Sequence, residues 1–425
     1  MDVRGIKIKR RNLSLSSAFD FAVAFYLFSL MFSDGTIIFF VSAFLVLAIG
    51  SIHIFAQRKL FVCGFTVLMA LFILYNLFLI LTGVAVFQAE STKRLITLVY
   101  NFVVNLVLMQ YWISERNRKK TQKTYIIILV ILALYIVVLS GRALFNGRFG
   151  GDIPYLFNMT GTNGKGMLSN YVSRLLYIGV VFCYLLYWHE QDTLQIDLNA
   201  NKYNRYYLII AYIFVTLVAL TGSRSGLIVV AVFLILAYLF RSTSYAKKIK
   251  YLIGVSFVLF FAYLLIMYVP VLYEIIGSRL RILIDGFVLA EGYEYRSSAY
   301  FRSNMRVLGE QLFKEKPVFG WGLDAFTKLS PYDTYSHNNF IEILVSCGII
   351  GFILYYGALF SLFIKCIKEN GKSRTEAKVY ISILVATVFM HVAHVDYVSR
   401  DSWLLLNMIA AASLDWRMNK REENI

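Results

Sequence analysis

The chain is predicted to be an all-α polytopic membrane protein of about twelve transmembrane helices, with one long external loop containing an amphipathic helix. Three observations predict this. Hydrophobic residues make up 59% of the 425 positions, charged residues only 16%, and mean hydropathy is +0.65. That is more apolar surface than one soluble core can bury, so lipid must be part of the solvent. Apolar runs near the length of a membrane crossing recur along the chain, and lysine and arginine crowd alternate loops between them. The net charge of +17 would suggest nucleic acid for a soluble domain; here the loops account for it, and no nucleic-acid partner is expected.

Twelve runs are read as crossings: Leu15–Ser33, Thr36–Ala56, Leu60–Thr82, Leu95–Ile113, Tyr125–Ser140, Leu168–Trp188, Tyr206–Leu220, Gly226–Phe240, Tyr251–Tyr273, Asn338–Ile364, Val379–Val395 and Ser402–Trp416. The basic start MDVRGIKIKRR leads into the first without a small-residue cleavage site, so that span is expected to be its own targeting signal. The basic loops are the N-terminal Arg4 to Arg11, Arg58 with Lys59, the ERNRKKTQK run, Arg241 to Lys250, Lys365 to Lys378, and the C-terminal Arg417, Lys420 and Arg421. The bias of positive charge places these in the cytoplasm, together with both termini. The opposite loops are poor in cations except for the arginine-rich segment 274–337, which is too long for the rule to govern. No repeat or linker marks a second unit, so residues 1–425 form one membrane domain with 274–337 as its large external loop. Cys63, Cys183, Cys347 and Cys366 have no spacing that reads as a disulfide framework or a zinc site.

Several motifs carry polar chemistry into this apolar frame. TGTNGKGM at Thr160–Met167 has the look of a nucleotide phosphate loop, but no buried strand precedes it and Met167 stands where a magnesium-binding hydroxyl is required. It reads as a glycine-rich external turn, and no nucleotide cofactor is expected. TGSRSG at Thr221–Gly226 joins two apolar runs so tightly that Arg224 lies near the outer membrane surface. An arginine there either snorkels to a lipid phosphate or captures an anion; Gly222 and Gly226 would open the backbone to a phosphate, which favours capture, with Ser223 and Gly226 in support. Phe301–Lys316 has Phe301, Met305, Leu308 and Leu312 at helical spacing, with Arg302, Arg306 and Glu310 on another face. Such a helix lies on the membrane, or its two arginines grip a pyrophosphate. His391 and His394, with Asp396 nearby, are spaced i and i+3 near the end of a span; without a third ligand they read as packing histidines, and no metal is expected. Asp20 and Glu342 are intramembrane acids in need of partners.

The segment Lys316–Gly351 ties these features together. A polar loop ends at His337, and an apolar helix begins just after it. A helix N-terminus disfavours imidazolium, so His337 is expected to be a neutral ring able to act as general base, with Glu342 as structural support.

Taken in order, Ser223–Gly226, then Arg302 with Pro317, Gly320 and Gly322 in the spacing R-x14-P-x2-G-x-G, then HNNFIEILVSCGIIG at His337–Gly351, resemble the O-antigen polymerase and O-antigen ligase superfamily of bacterial membrane glycosyltransferases. The resemblance covers mainly Thr221–Tyr356; Arg306 departs from it, standing where relatives commonly have an aromatic residue. It implies transfer of an oligosaccharide from an undecaprenyl-diphosphate donor at the outer face of the cytoplasmic membrane, without metal or nucleotide. It further implies His337 as catalytic base and Arg224 and Arg302 as pyrophosphate ligands; Arg306 as a further ligand is inferred from the helix face alone. The acceptor is a lipid-linked repeat unit for a polymerase of capsule, exopolysaccharide or O-antigen, or a lipid core or cell-wall component for a ligase. A lipid-linked oligosaccharide transporter is the remaining alternative, and other polysaccharide-assembly membrane proteins are candidate partners.

Overall fold

The computed structural model describes residues 3–145, 169–193, 201–221, 223–241, 244–270, 298–370 and 375–423, with Tyr273, Gly277 and Arg281 as isolated positions. The Thr160–Met167 turn and most of 274–297 lie outside the described residues.

The described chain is helical throughout: α1 (Val3–Phe32), α2 (Ile37–Gln57), α3 (Gly64–Leu81), α4 (Gln88–Trp112), α5 (Glu115–Phe145), α6 (Ser169–Thr193), α7 (Asn201–Leu220), α8 (Arg224–Arg241), α9 (Tyr245–Tyr268), α10 (Ser298–Glu315), α11 (Ala325–Leu329), α12 (Asn339–Asn370), α13 (Thr375–Met390) and α14 (Arg400–Glu423). Among the described residues, seven helices are long and apolar enough to cross a membrane: α1 to α6 and α12. Of the twelve crossings expected, these seven meet the criterion among the described residues. The apolar parts of α7 and α8, Arg205–Leu220 and Ser225–Phe240, fall short of a full crossing, α13 has only 16 residues, and α14 carries charges at both ends. The protein is an integral membrane protein.

α1 packs on α2 and α5, α3 on α12, α4 on α14, α6 on α7, and α8 on α13. One apolar core runs through all of these, built on fully buried aromatic side chains such as Phe19, Phe72, Trp112 and Tyr125. Among the described residues, charged side chains pair within each of the two sets of loops distinguished by charge. At one end, Arg94 pairs with Asp324, Lys328 with Glu90 and Arg400 with Asp34. At the other, Arg118 reaches Asp415 and Glu376, and Lys120 reaches Asp20, which also accepts from the Tyr111 hydroxyl. Arg94, Lys328 and Arg400 thus meet carboxylates, which offsets the cost of holding them near lipid.

α10 is the amphipathic helix. Its Met305 and Leu312 bury against Phe326, Ile341 and Val345, so α10 lies on the first turns of α12. Each such side chain contributes about 1.5–3 kcal/mol. α12 is broken at Gly348 (φ 62, ψ −168). The break releases backbone groups, and the segment 317–322 takes them up: Trp321 N–H donates to Val345 O at 2.9 Å, Gly322 N–H to Ser346 O at 2.9 Å, and Ile349 N–H to Pro317 O at 2.9 Å. Tyr75 OH donates to Cys347 O at 2.9 Å. Left unpaired away from water, each group would cost several kcal/mol. The spacing P-x2-G-x-G therefore has a structural meaning. A Cβ at Gly320 would meet the Ser346 backbone at 2.6 Å, and one at Gly348 would meet Val318 O at 2.2 Å.

Candidate functional site

Backbone geometry sets the position of His337. Asn338 caps α12, its Oδ1 accepting from Phe340 N–H at 2.9 Å and Ile341 N–H at 3.2 Å. His337 precedes the cap in the left-handed region (φ 55), which turns its ring away from the helix axis and onto Tyr335, with ring centroids 4.3 Å apart. The imidazole is depressed to about 4, first by burial and second by the Arg302 guanidinium. The direction is that of the neutral ring expected, and the causes found for it are burial and a neighbouring cation. Arg302 is exposed and has no ion-pair partner among the described residues.

Arg306 is placed differently. Its Nε donates to Glu310 Oε1 at 3.1 Å on the solvent face of α10, and of the two arginines of this helix it is Arg302 whose field reaches His337 and, after burial and Arg174, His394. Glu342 is buried, accepts Ser336 N–H at 2.9 Å and so holds the turn that leads into His337.

The Ser223–Gly226 turn opens α8. Ser223 Oγ donates to Asn170 Oδ1 at 2.8 Å and accepts from Ser173 Oγ at 3.0 Å, which fastens the turn to α6. Gly226 does not present an open backbone to a phosphate as expected: a Cβ there would meet Ser173 at 2.6 Å, so the glycine serves the close approach of α8 to α6. Arg224 is the first residue of α8; its side chain, like Gly222, lies outside the described residues. Ser225 Oγ is 2.7 Å from His394 Nε2. This contact joins the turn to the 391–399 loop, and His394 in turn feels both Arg302 and His337.

The helical reading of His391 and His394 needs correction. α13 ends at Met390, so both rings lie on a loop and the i, i+3 spacing does not align them. His391 Nδ1 faces Tyr356 OH at 3.3 Å while His394 faces Ser225. The loop is clamped by Asn339: its Oδ1 accepts Asp396 N–H at 2.9 Å and Tyr397 N–H at 3.1 Å, and its own N–H donates to His391 O at 2.8 Å.

Two arginines escaped the sequence reading. Arg174 of α6 lies 2.7 Å from Asp401 and 2.9 Å from Asp396, and donates to Ser402 Oγ at 3.0 Å. Arg94 of α4 holds Asp324 at 2.5 Å. Both line a polar cavity of about 240 Å³ shared with Asp324, Tyr335, Glu342 and His394. The signal for Arg174 was present, an arginine within the run Leu168–Trp188, since charge inside a span marks structure or function.

The site therefore gathers a guanidinium with no ion-pair partner among the described residues, an imidazole whose proton affinity is lowered and a hydroxyl-rich turn beside a polar cavity, at one end of an apolar bundle. No curated protein matches the chain. Residues 209–356, which run from α7 to the second half of α12 and so include all three motifs, match the family model described as O-antigen ligase. That stretch is about a third of the chain, and over it the chain is similar to the O-antigen ligase family.

Proposed function

We propose that the protein is a polymerase of the bacterial cytoplasmic membrane that moves an oligosaccharide from an undecaprenyl-diphosphate carrier onto a lipid-linked repeat unit at the external face. One observation carries this reading: Arg302, exposed and without an ion-pair partner among the described residues, adds its field to the burial that already depresses His337, at the end of the bundle where Ser223–Gly226 is fastened. Arg302 and Arg224 bind the diphosphate. His337 takes the proton from the acceptor hydroxyl, whose oxygen attacks the anomeric carbon. The carbon–oxygen bond to the diphosphate breaks, its electron pair stays on the phosphate oxygen, and the guanidinium groups stabilise that charge. A single displacement inverts the anomeric centre.

The field of Arg302 adds a control. A ring at about 4 is a weak base in the free protein. A bound diphosphate neutralises Arg302, and the base strengthens as the donor arrives. A second reading is a ligase that transfers the glycan to a lipid core or cell-wall acceptor; the description of the matched family favours it.

Purified protein in bilayers, supplied with the lipid-linked repeat unit alone, should produce a ladder of longer lipid-linked glycans. Transfer only on addition of a core or wall acceptor would establish the ligase. Translocation of the donor without any new glycosidic bond would defeat both readings. His337→Ala should still bind donor while turnover falls by about 100- to 10,000-fold.

A further inference from the structure

Two apolar grooves score the surface of the bundle, and they differ in one respect. The groove between α12 and α13, about 580 Å³, is lined from Phe352 to Val388 without a charged residue. The groove between α8 and α9, about 690 Å³, is lined by Leu227, Val230, Leu234 and Tyr238 of α8 but has Lys247 and Lys250 of α9 in its wall. α9 leans on α8 through Tyr251, whose ring stacks on Tyr238 at 3.7 Å and whose hydroxyl donates to Leu234 O at 3.4 Å. Further along, Phe257, Phe260, Phe261 and Leu265 are exposed. What fills the groove therefore sets how α9 stands against the bundle.

We infer that this groove is a binding site for one anionic glycerophospholipid, its phosphate held by Lys247 and Lys250 and its acyl chains laid along α8. Three features select that occupant. From Leu227 to Tyr238 the lining of α8 covers twelve residues, a rise of about 16 Å at about 1.5 Å per residue. That is half of a hydrocarbon core about 30 Å thick, the depth of one leaflet. Both lysines stand in the first two turns of α9, with Lys247 in the first turn, where the helix N-terminus adds positive potential. They lie at the far end of α8 from Arg224, so the headgroup belongs to the leaflet opposite the site assigned to the diphosphate donor. A lysine near a membrane surface strengthens binding of anionic lipid by roughly five-fold, so the pair should distinguish anionic from zwitterionic headgroups by on the order of 10- to 30-fold.

The test is native mass spectrometry of the full-length protein in neutral detergent, titrated with phosphatidylglycerol or with phosphatidylcholine of the same acyl chains. The parent should retain one phosphatidylglycerol at least 10-fold more tightly than phosphatidylcholine. Lys247→Gln/Lys250→Gln should abolish that preference, while Lys248→Gln/Lys365→Gln, altering cations that do not line the groove, should keep it. Gly254→Phe should displace either lipid, because Gly254 lines the groove with nothing within 4 Å of a Cβ built there. Equal binding of the two lipids by the parent, or an unchanged preference in Lys247→Gln/Lys250→Gln, would overturn the assignment. So would one-for-one displacement of phosphatidylglycerol by undecaprenyl phosphate, which would give the groove to the carrier. None of these readouts depends on catalysis, so failure here leaves the proposed function standing.

Discussion

If His337 is the base and burial together with Arg302 holds it neutral, acid should inhibit the free protein and the donor complex at different pH values. The profile of kcat/KM reports the free protein and that of kcat the complex. With the ring at about 4 rather than its usual 6.5, about 90% of the free protein has a neutral base at pH 5, against about 3% for an unperturbed histidine. That is a difference of about 30-fold in kcat/KM at pH 5. The acid limb of kcat should lie higher, because the bound diphosphate cancels the field of Arg302. In Arg302→Gln the kcat/KM limb should rise above about 4 yet stay below 6.5, since burial, the larger cause, remains. The assay is the initial rate of donor consumption by purified protein between pH 4 and 8, with limb position read in preference to amplitude. Histidine NMR titration follows the same ring directly among only five histidines. A parental kcat/KM that falls with an apparent value of 6.5, or an unmoved limb in Arg302→Gln, would refute the reasoning. Stability has the matching sign. Between pH 6.5 and about 4 the unfolded chain takes up a proton that folded His337 refuses, so acid destabilises the protein over that window.

Other consequences follow from particular contacts. Gly348→Ala places a Cβ 2.2 Å from Val318 O at a positive φ and should destabilise the protein by about 2–4 kcal/mol, read as a lower Tm; an unchanged Tm would mean that the break in α12 is not needed. Asn339→Leu leaves the Asp396 and Tyr397 N–H groups without their acceptor, at about 1–3 kcal/mol each, and should lower both Tm and turnover; full activity would show the clamp to be dispensable. Arg302→Lys and Arg224→Lys should weaken donor binding more than retained charge predicts, because a point charge does not reproduce a planar fork; wild-type affinity in either would count against diphosphate contact. In a background without native cysteines, a probe at Thr334 should be labelled from outside intact cells and one at Lys119 should not; the reverse result would invert the orientation.

Much of the site was legible because its parts are rare in an apolar chain. An arginine in a tight turn, arginines on an amphipathic helix and a histidine just before a helix stand out wherever lipid is the solvent. Their partners were harder to read. Ser225 and His394 are 169 positions apart in sequence, and only the packing of α8 on α13 brings them to 2.7 Å. The histidine spacing misled because α13 stops at Met390. Gly226 was read as an opening for phosphate, since sequence shows that a side chain is missing but not which neighbour fills the space.

Composition and local pattern by themselves determined the helical membrane class, the amphipathic α10, the start of α12 and the identity of the charged residues that needed partners. These depend on transfer of apolar surface from water and on backbone hydrogen bonds closed within a segment, both written in neighbouring residues. Tertiary structure alone decided which acid meets which arginine, that segment 317–322 completes the broken α12, and that His337 owes its neutral ring to burial and Arg302. Those depend on contacts between residues far apart in sequence, where distance and exclusion of water set the strength of a charge, and no local pattern encodes either.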